Sequence, residues 1–209
     1  MGERASGVIV AGGRGTRLGL GRPKAFAEAG GRTLLARAEE VLEALCDRVV
    51  IAAPEDLPLP PHRFPRVADA AGAAGPLAGM VAGLRALGGG SAIVLGVDFP
   101  LMRPRTLAAL LESLGPRCAV LPAPGGWLQP LAAAYDGRAV EPLAAALLRG
   151  ERSAVAAASA LDPLVLPDQA LDRIEGGHES FFNLNTAADL AEAERRLSAR
   201  AAAGPEAAA

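Results

Sequence analysis

Ala11-Gly12-Gly13-Arg14-Gly15-Thr16-Arg17-Leu18-Gly19-Leu20-Gly21-Arg22-Pro23-Lys24 continues from the apolar run Gly7-Val8-Ile9-Val10-Ala11, which it overlaps at Ala11. A short apolar run that stops in glycine reads as a buried first strand feeding a tight loop, the opening unit of an α/β protein. Glycine tolerates left-handed backbone and close approach, so several N–H groups of such a loop can converge on one anion. No carboxylate occurs between Ala5 and Ala27, whereas Arg14, Arg17, Arg22 and Lys24 supply four cations. Such a loop suits a phosphate-bearing ligand at the carboxyl edge of an open sheet. It is not a Walker A loop, which needs Gly-Lys-Ser/Thr, and it is not G-x-G-x-x-G, because Leu18 stands where the last glycine should be. A flexible basic turn is the bland alternative; it leaves the concentration of glycines and cations unexplained.

Working outward, β-like and helical runs alternate, which predicts helices packed on a mostly parallel sheet. Leu34, Leu35, Ala38, Val41, Leu42 and Leu45 recur at helical spacing, and Arg48 to Ala53 reads as a second buried strand. Pro54 to Pro65 reads as a loop and Arg66-Val67-Ala68 as a short strand. Pro76 opens a helix through Leu87 that Gly88-Gly89-Gly90 stops. Ala92 to Val97 is the most strand-like run, followed by a helix from Pro104 to Leu114, strands at Cys118–Pro122 and Leu131–Tyr135, and a helix from Arg138 to Leu148. An irregular stretch precedes a C-terminal helix opened by Thr186.

The length of 209 residues suits one domain, expected over residues 1–200, with the low-complexity residues 201–209 expected to be a disordered tail. Cys46 and Cys118 have no metal-ligand spacing, which argues against a disulfide scaffold or a zinc ribbon. With 21 Lys+Arg against 23 Asp+Glu and 3% aromatics, neither a basic field nor a stacking platform for nucleic acid is expected. Neither a signal peptide nor a membrane span is legible, so a cytoplasmic protein is expected.

Asp98 ends the strand-like run and should point toward the basic loop. One carboxylate at this edge suits Mg²⁺ shared with substrate phosphates, although a helix-capping or turn aspartate before Pro100 is the alternative. Asp69 precedes Gly72 and Gly75, where an Asx turn would explain it. Thr186-Ala187-Ala188-Asp189 has capping-box spacing with Asp in place of Glu. A cap accounts for one polar residue there, not for Phe182, Asn183 and Asn185 together; both a cap and a ligand role stay open for the two asparagines. Arg152 and Ser153 could serve an acceptor phosphate or end a solvated helix. Neither His62 nor His178 accompanies a nucleophile motif. Trp127 is expected to cap the core, the alternative being a cover over a ligand ring.

In order, Ala11-Gly12-Gly13, Gly75-Pro76-Leu77-Ala78-Gly79, Asp98-Phe99-Pro100, Gln129-Pro130-Leu131, Gly150-Glu151-Arg152-Ser153 and Phe182-Asn183-Leu184-Asn185-Thr186 span nearly the whole chain. This ordered set resembles the molybdenum cofactor guanylyltransferases, within the GT-A-like nucleotidyltransferases that join an NTP to a phosphorylated acceptor and release pyrophosphate. The resemblance implies a three-layer α/β/α Rossmann-like fold, its sheet mostly parallel with one antiparallel strand. It implies GMP transfer from Mg-GTP to the terminal phosphate of molybdopterin or its molybdenum form, with Mg²⁺ as cofactor.

By the same resemblance Asp98, Lys24 and Arg17 are catalytic, and Asp98 is the metal ligand. Val10, Ala11, Gly12, Gly13, Arg14, Gly15, Thr16, Lys24, Asp69, Gly75 and Asp98 bind nucleotide; Asn183 and Asn185 bind acceptor. Transient contacts with other cofactor-biosynthesis or molybdoenzyme-maturation proteins are implied, and nucleic acid and membrane are not. Two features depart from the pattern: the loop is one residue longer, and Ala52 stands where relatives often carry an asparagine. The rival readings are a cytidylyl or sugar-phosphate nucleotidyltransferase of the same fold and a non-catalytic nucleotide-binding module. Retention of both Asp98 and Lys24 argues against the last.

Overall fold

The computed structural model describes residues 5–19, 21–68 and 75–202. Its strands are β1 (Ala5–Val10), β2 (Glu28–Ala29), β3 (Arg32–Thr33), β4 (Cys46–Ala52), β5 (Arg66–Val67), β6 (Ser91–Gly96), β7 (Ala119–Ala123), β8 (Ala132–Asp136) and β9 (Leu164–Pro167). Its helices are α1 (Leu34–Glu43), α2 (Pro76–Leu87), α3 (Pro104–Glu112), α4 (Val140–Leu148), α5 (Ala154–Ser159), α6 (Asp168–Leu171), α7 (Gly177–Ser180) and α8 (Ala187–Ala202). The main sheet runs β5-β4-β1-β6-β8-β7-β9, and β2 pairs with β3 in a small hairpin.

Side chains alternate across the sheet as a two-residue period requires. Ile9, Ile51, Ile93 and Leu95 face a core closed by Leu34, Leu35 and Leu42 of α1, Leu107 and Leu110 of α3 and Ala193 of α8. Val8, Val10, Val50 and Val94 face the other way, onto Leu77, Met80 and Leu84 of α2, Leu143 of α4 and Ala157 of α5. These two cores make three layers, α/β/α. Each fully buried aliphatic side chain is worth about 1.5–3 kcal/mol over an exposed one, so the helical stripes and the strand alternation dictate the layering.

Among the described strands of the main sheet only β8 runs against the rest: it is antiparallel to both β6 and β7, while β1 is parallel to β4 and β6, and β7 to β9. The connection from β7 to β8, residues 124–131, is too short for a parallel crossover, which takes a dozen residues or more. The two edge strands are short, and β9 ends in Pro167, which limits pairing with another chain.

Three sequence expectations need correction or extension. The stretch read as irregular contains α5, β9, α6 and α7. Trp127 does not cap the core; the residue is 74% exposed. The C-terminal helix continues to Ala202, and residues 203–209 lie outside the described residues. No described helix is long and apolar enough to cross a membrane.

Candidate active site

In the main sheet the strand after β1 is β4, on one flank, and the strand after β6 is β7, on the other; between the carboxyl ends of β1 and β6 lies a cavity of about 180 Å³. Open α/β sheets bind ligands at such a reversal of strand order. Gly12 and Gly13 follow β1, Val97 and Asp98 follow β6, Gly75 and Gly79 come from the start of α2, and Lys24 reaches in from the loop; all line the cavity. Val10 and Ala52 line it too. Ala52 therefore brings no polar side-chain atom to the cavity.

The loop is built to return Lys24 to the sheet edge. Gly15 sits at φ 67°, and a Cβ there would stand 2.8 Å from the Arg22 carbonyl oxygen and 2.9 Å from the Lys24 nitrogen. Only glycine fits both the angle and the approach. Pro23, at φ −54°, then enters a 3-10 turn over Lys24–Phe26, and the Lys24 amide donates to the Gly13 carbonyl at 3.0 Å.

Four side chains from three distant segments close a ring. Lys24 Nζ lies 3.8 Å from Asp98 Oδ2 and donates to Asn185 Oδ1 at 3.2 Å. Asn185 Nδ2 donates to Asn183 Oδ1 at 2.8 Å, and Asn183 Nδ2 donates to Asp98 Oδ2 at 3.3 Å. The Leu184 amide donates to the Asp98 carbonyl at 2.9 Å, which pins the C-terminal segment to the end of β6. The Lys24 and Asp98 side chains are only 12% and 23% exposed, so their attraction is screened less than a surface pair's.

Capping falls to other residues. Thr186 Oγ1 accepts from the Asp189 amide at 3.2 Å, and Asp189 Oδ2 accepts from the amides of Thr186 at 2.7 Å and Asn185 at 2.9 Å. The capping box with Asp in the Glu position is thus complete. The amides of Asn185 and Thr186 hold the Asp189 carboxyl below its ordinary value. Of the two readings left open for Asn183 and Asn185, the side-chain geometry excludes the cap and leaves both amides facing Asp98 and Lys24.

Other expected site residues are placed differently. Arg14 is largely exposed and only 3.9 Å from Asp56, and Arg22 lies over the Phe26 ring at 5.7 Å, so neither lines the cavity. Ala11 is buried behind it, and Thr16 is exposed on the loop. Asp69 and the side chain of Arg17 lie outside the described residues. Ser153 caps α5 by accepting from the Ala156 amide, and Glu151 accepts from the amides of Arg152 and Ser153, so part of this motif shapes a helix start. His62 pairs with the Pro60 carbonyl and His178 with Asp168 and Asp172; neither lines the cavity.

Gly96 is the residue that the sequence reading missed. A Cβ on it would overlap Asp98 Oδ1, so the carboxylate rests in space that only glycine leaves. A glycine interrupting an otherwise apolar strand was the available signal. Among the described residues no three His, Cys, Asp or Glu side chains cluster as a metal cage.

A three-layer α/β/α sheet with a glycine-rich cationic loop opposite a strand-end aspartate defines a nucleotidyltransferase. The description "MobA-like NTP transferase domain" matches residues 7–164, and the chain belongs to that family. It is 34% identical to the "Probable molybdenum cofactor guanylyltransferase" of Chloroflexus aggregans, over 88% of this chain and 91% of that one. It is 33% identical to the protein of the same description from Natronomonas pharaonis, over 95% and 100%. Among solved structures it is similar to molybdopterin-guanine dinucleotide biosynthesis protein A from Archaeoglobus fulgidus, with TM-score 0.78, 25% identity and coverage of 93% and 99%.

Proposed function

We propose that this protein transfers GMP from Mg-GTP to the terminal phosphate of molybdopterin or its molybdenum form, releasing pyrophosphate. The observation that carries the reading is the ring of Lys24, Asp98, Asn183 and Asn185, in which the loop lysine and the strand-end carboxylate meet the C-terminal amides. The guanylyltransferase names of the relatives support the choice of donor and acceptor.

The acceptor phosphate has a second pKa of about 6, so at neutral pH it is already mostly the dianionic nucleophile and no general base is required. That agrees with a cavity lined by no histidine. The difficulty is to bring two polyanions together in line. Lys24 and the glycine loop N–H groups hold the triphosphate, and Asn183 and Asn185 orient the acceptor with amide donors and acceptors. Asp98 would hold Mg²⁺: magnesium takes one or two carboxylates plus phosphate oxygens, and Gly96 leaves room for that carboxylate. When bound, the ion would neutralise charge on the reacting and leaving phosphates.

The test is pyrophosphate release from each of GTP, CTP, ATP and UTP with molybdopterin as acceptor. Turnover confined largely to GTP is expected. Release with CTP equal to or above GTP would move the protein to a cytidylyl branch, and release only with a sugar phosphate would replace the acceptor.

A further inference from the structure

Asp98, Pro76 and Leu131 border the nucleotide cavity on one side and a second recess of about 290 Å³ on the other. Gln129, Asn183 and Arg152 give that recess polar groups, while Leu128 and Val155 belong to it alone and not to the first cavity. Val155 is exposed although apolar. Trp127 precedes Leu128, at the carboxyl end of β7 and so at the same sheet edge as Asp98.

The indole is not exposed because its loop is loose. The Trp127 amide donates to the Pro124 carbonyl at 3.2 Å, its carbonyl accepts from Gln129 Nε2 at 3.2 Å, and the Gly125 amide donates to Asp168 Oδ1 at 2.8 Å. A pinned turn therefore holds the chain's only tryptophan in water, forgoing the burial that an aromatic side chain would otherwise gain.

We propose that Trp127 forms the outer wall of the acceptor site and stacks on the planar heterocycle of the acceptor. This rests on the proposed function, because the acceptor reacts through its phosphate. The phosphate must then lie at the end of the recess that Asp98 shares with the nucleotide cavity. The ring extends the other way, along Leu128 and Val155 to the indole. Aromatic stacking tolerates differences in ring substituents, so Trp127 contributes affinity while Gln129 selects among ring edges.

Having one tryptophan, the ¹⁵N-labelled protein gives one indole N–H resonance. Metal-free molybdopterin should shift that resonance, and GTP alone should leave it in place. Trp127→Ala should raise the KM for molybdopterin about tenfold, on the scale of one lost stacked ring, and leave the KM for GTP within about twofold. Trp127→Phe should recover most of the loss. Because the indole is exposed, the alanine variant should fold as the wild type does, which circular dichroism checks. Turnover of molybdopterin with an unmoved indole resonance and an unchanged acceptor KM in Trp127→Ala would overturn the stacking role and spare the proposed function. No turnover of molybdopterin, with pyrophosphate released on a sugar phosphate instead, would overturn both.

Discussion

Asn183 Nδ2 donates to Asp98 Oδ2 across 3.3 Å, although 85 positions separate the two residues. The same carboxylate oxygen lies 3.8 Å from Lys24 Nζ. One oxygen is therefore claimed by the loop and the C-terminal segment together, while Oδ1 rests above Gly96.

Asp98→Asn keeps the shape of the side chain and removes its charge. It should leave the melting temperature within a few degrees and lower Mg²⁺-dependent turnover by about 100-fold or more, the scale of losing one strong electrostatic contact in such a site. Pyrophosphate release at saturating Mg²⁺ reads it; near wild-type turnover would sink the metal assignment.

Gly96→Ala acts on the same carboxylate without touching it chemically. The added methyl overlaps Oδ1, and its contact outside Asp98, Leu131 Cβ at 3.5 Å, is ordinary packing. The carboxylate must swing away while the strand stays. We expect a fold that melts normally, a higher Mg²⁺ concentration for half-maximal rate, and turnover reduced about tenfold or more. A Mg²⁺ titration identical to that of the wild type would refute the positioning role.

Lys24→Ala removes the described loop cation that lines the cavity. GTP affinity measured by calorimetry and turnover should both fall, whereas Arg85→Ala, which loses an exposed pair with Glu141, should change neither. Equal GTP binding by the wild type and Lys24→Ala would remove the lysine from the triphosphate site.

Replacing both Asn183 and Asn185 with alanine separates acceptor from donor: the KM for acceptor should rise and GTP affinity should hold. Because Thr186 and Asp189 carry the cap, this variant should not pay a capping loss, whereas Asp189→Ala should lose about 1 kcal/mol. The Asp189 carboxyl is depressed below its ordinary value of 3.8, first by the Asn185 amide. Its contribution is therefore complete above that value and fades as pH falls through the depressed one. The melting difference between wild type and Asp189→Ala should be full at pH 7 and shrink below about pH 4; a difference independent of pH would argue against the charged cap.

Gly13→Ala tests base choice. A Cβ there makes only ordinary contacts, 3.7 Å from Lys24 Cβ, so the protein accepts it and the cavity narrows. Gly12 is tighter, with Pro54 Cδ at 3.2 Å. If a purine fills this space, both variants should lower kcat/KM for GTP more than for CTP; an equal loss for both nucleotides would show that the glycines do not discriminate bases.

Sequence alone determined what is local. The apolar period set the strands and the longer helices, Pro76 and Gly88 bounded α2 where expected, and the glycine-cation loop marked the end of β1, because propensity, capping and charge act within a few residues. The ordered motifs gave the family in addition. What remained illegible was set by contacts across the chain. The short segments α5, β9, α6 and α7 carry too little periodicity to stand out, and such short elements are stabilised mainly by what they pack against. Arg14 and Lys24 read alike as loop cations, yet only the return of the loop to Gly13 brings the lysine into the cavity. Thr186 and Asp189 were legible as a cap, but that the neighbouring asparagines turn toward Asp98 and Lys24 instead of capping depended on the Leu184 amide meeting the Asp98 carbonyl. Burial decided Trp127 and Gly96: composition records a tryptophan and a glycine, and only the packed structure shows that one is left in water and the other leaves space for a carboxylate.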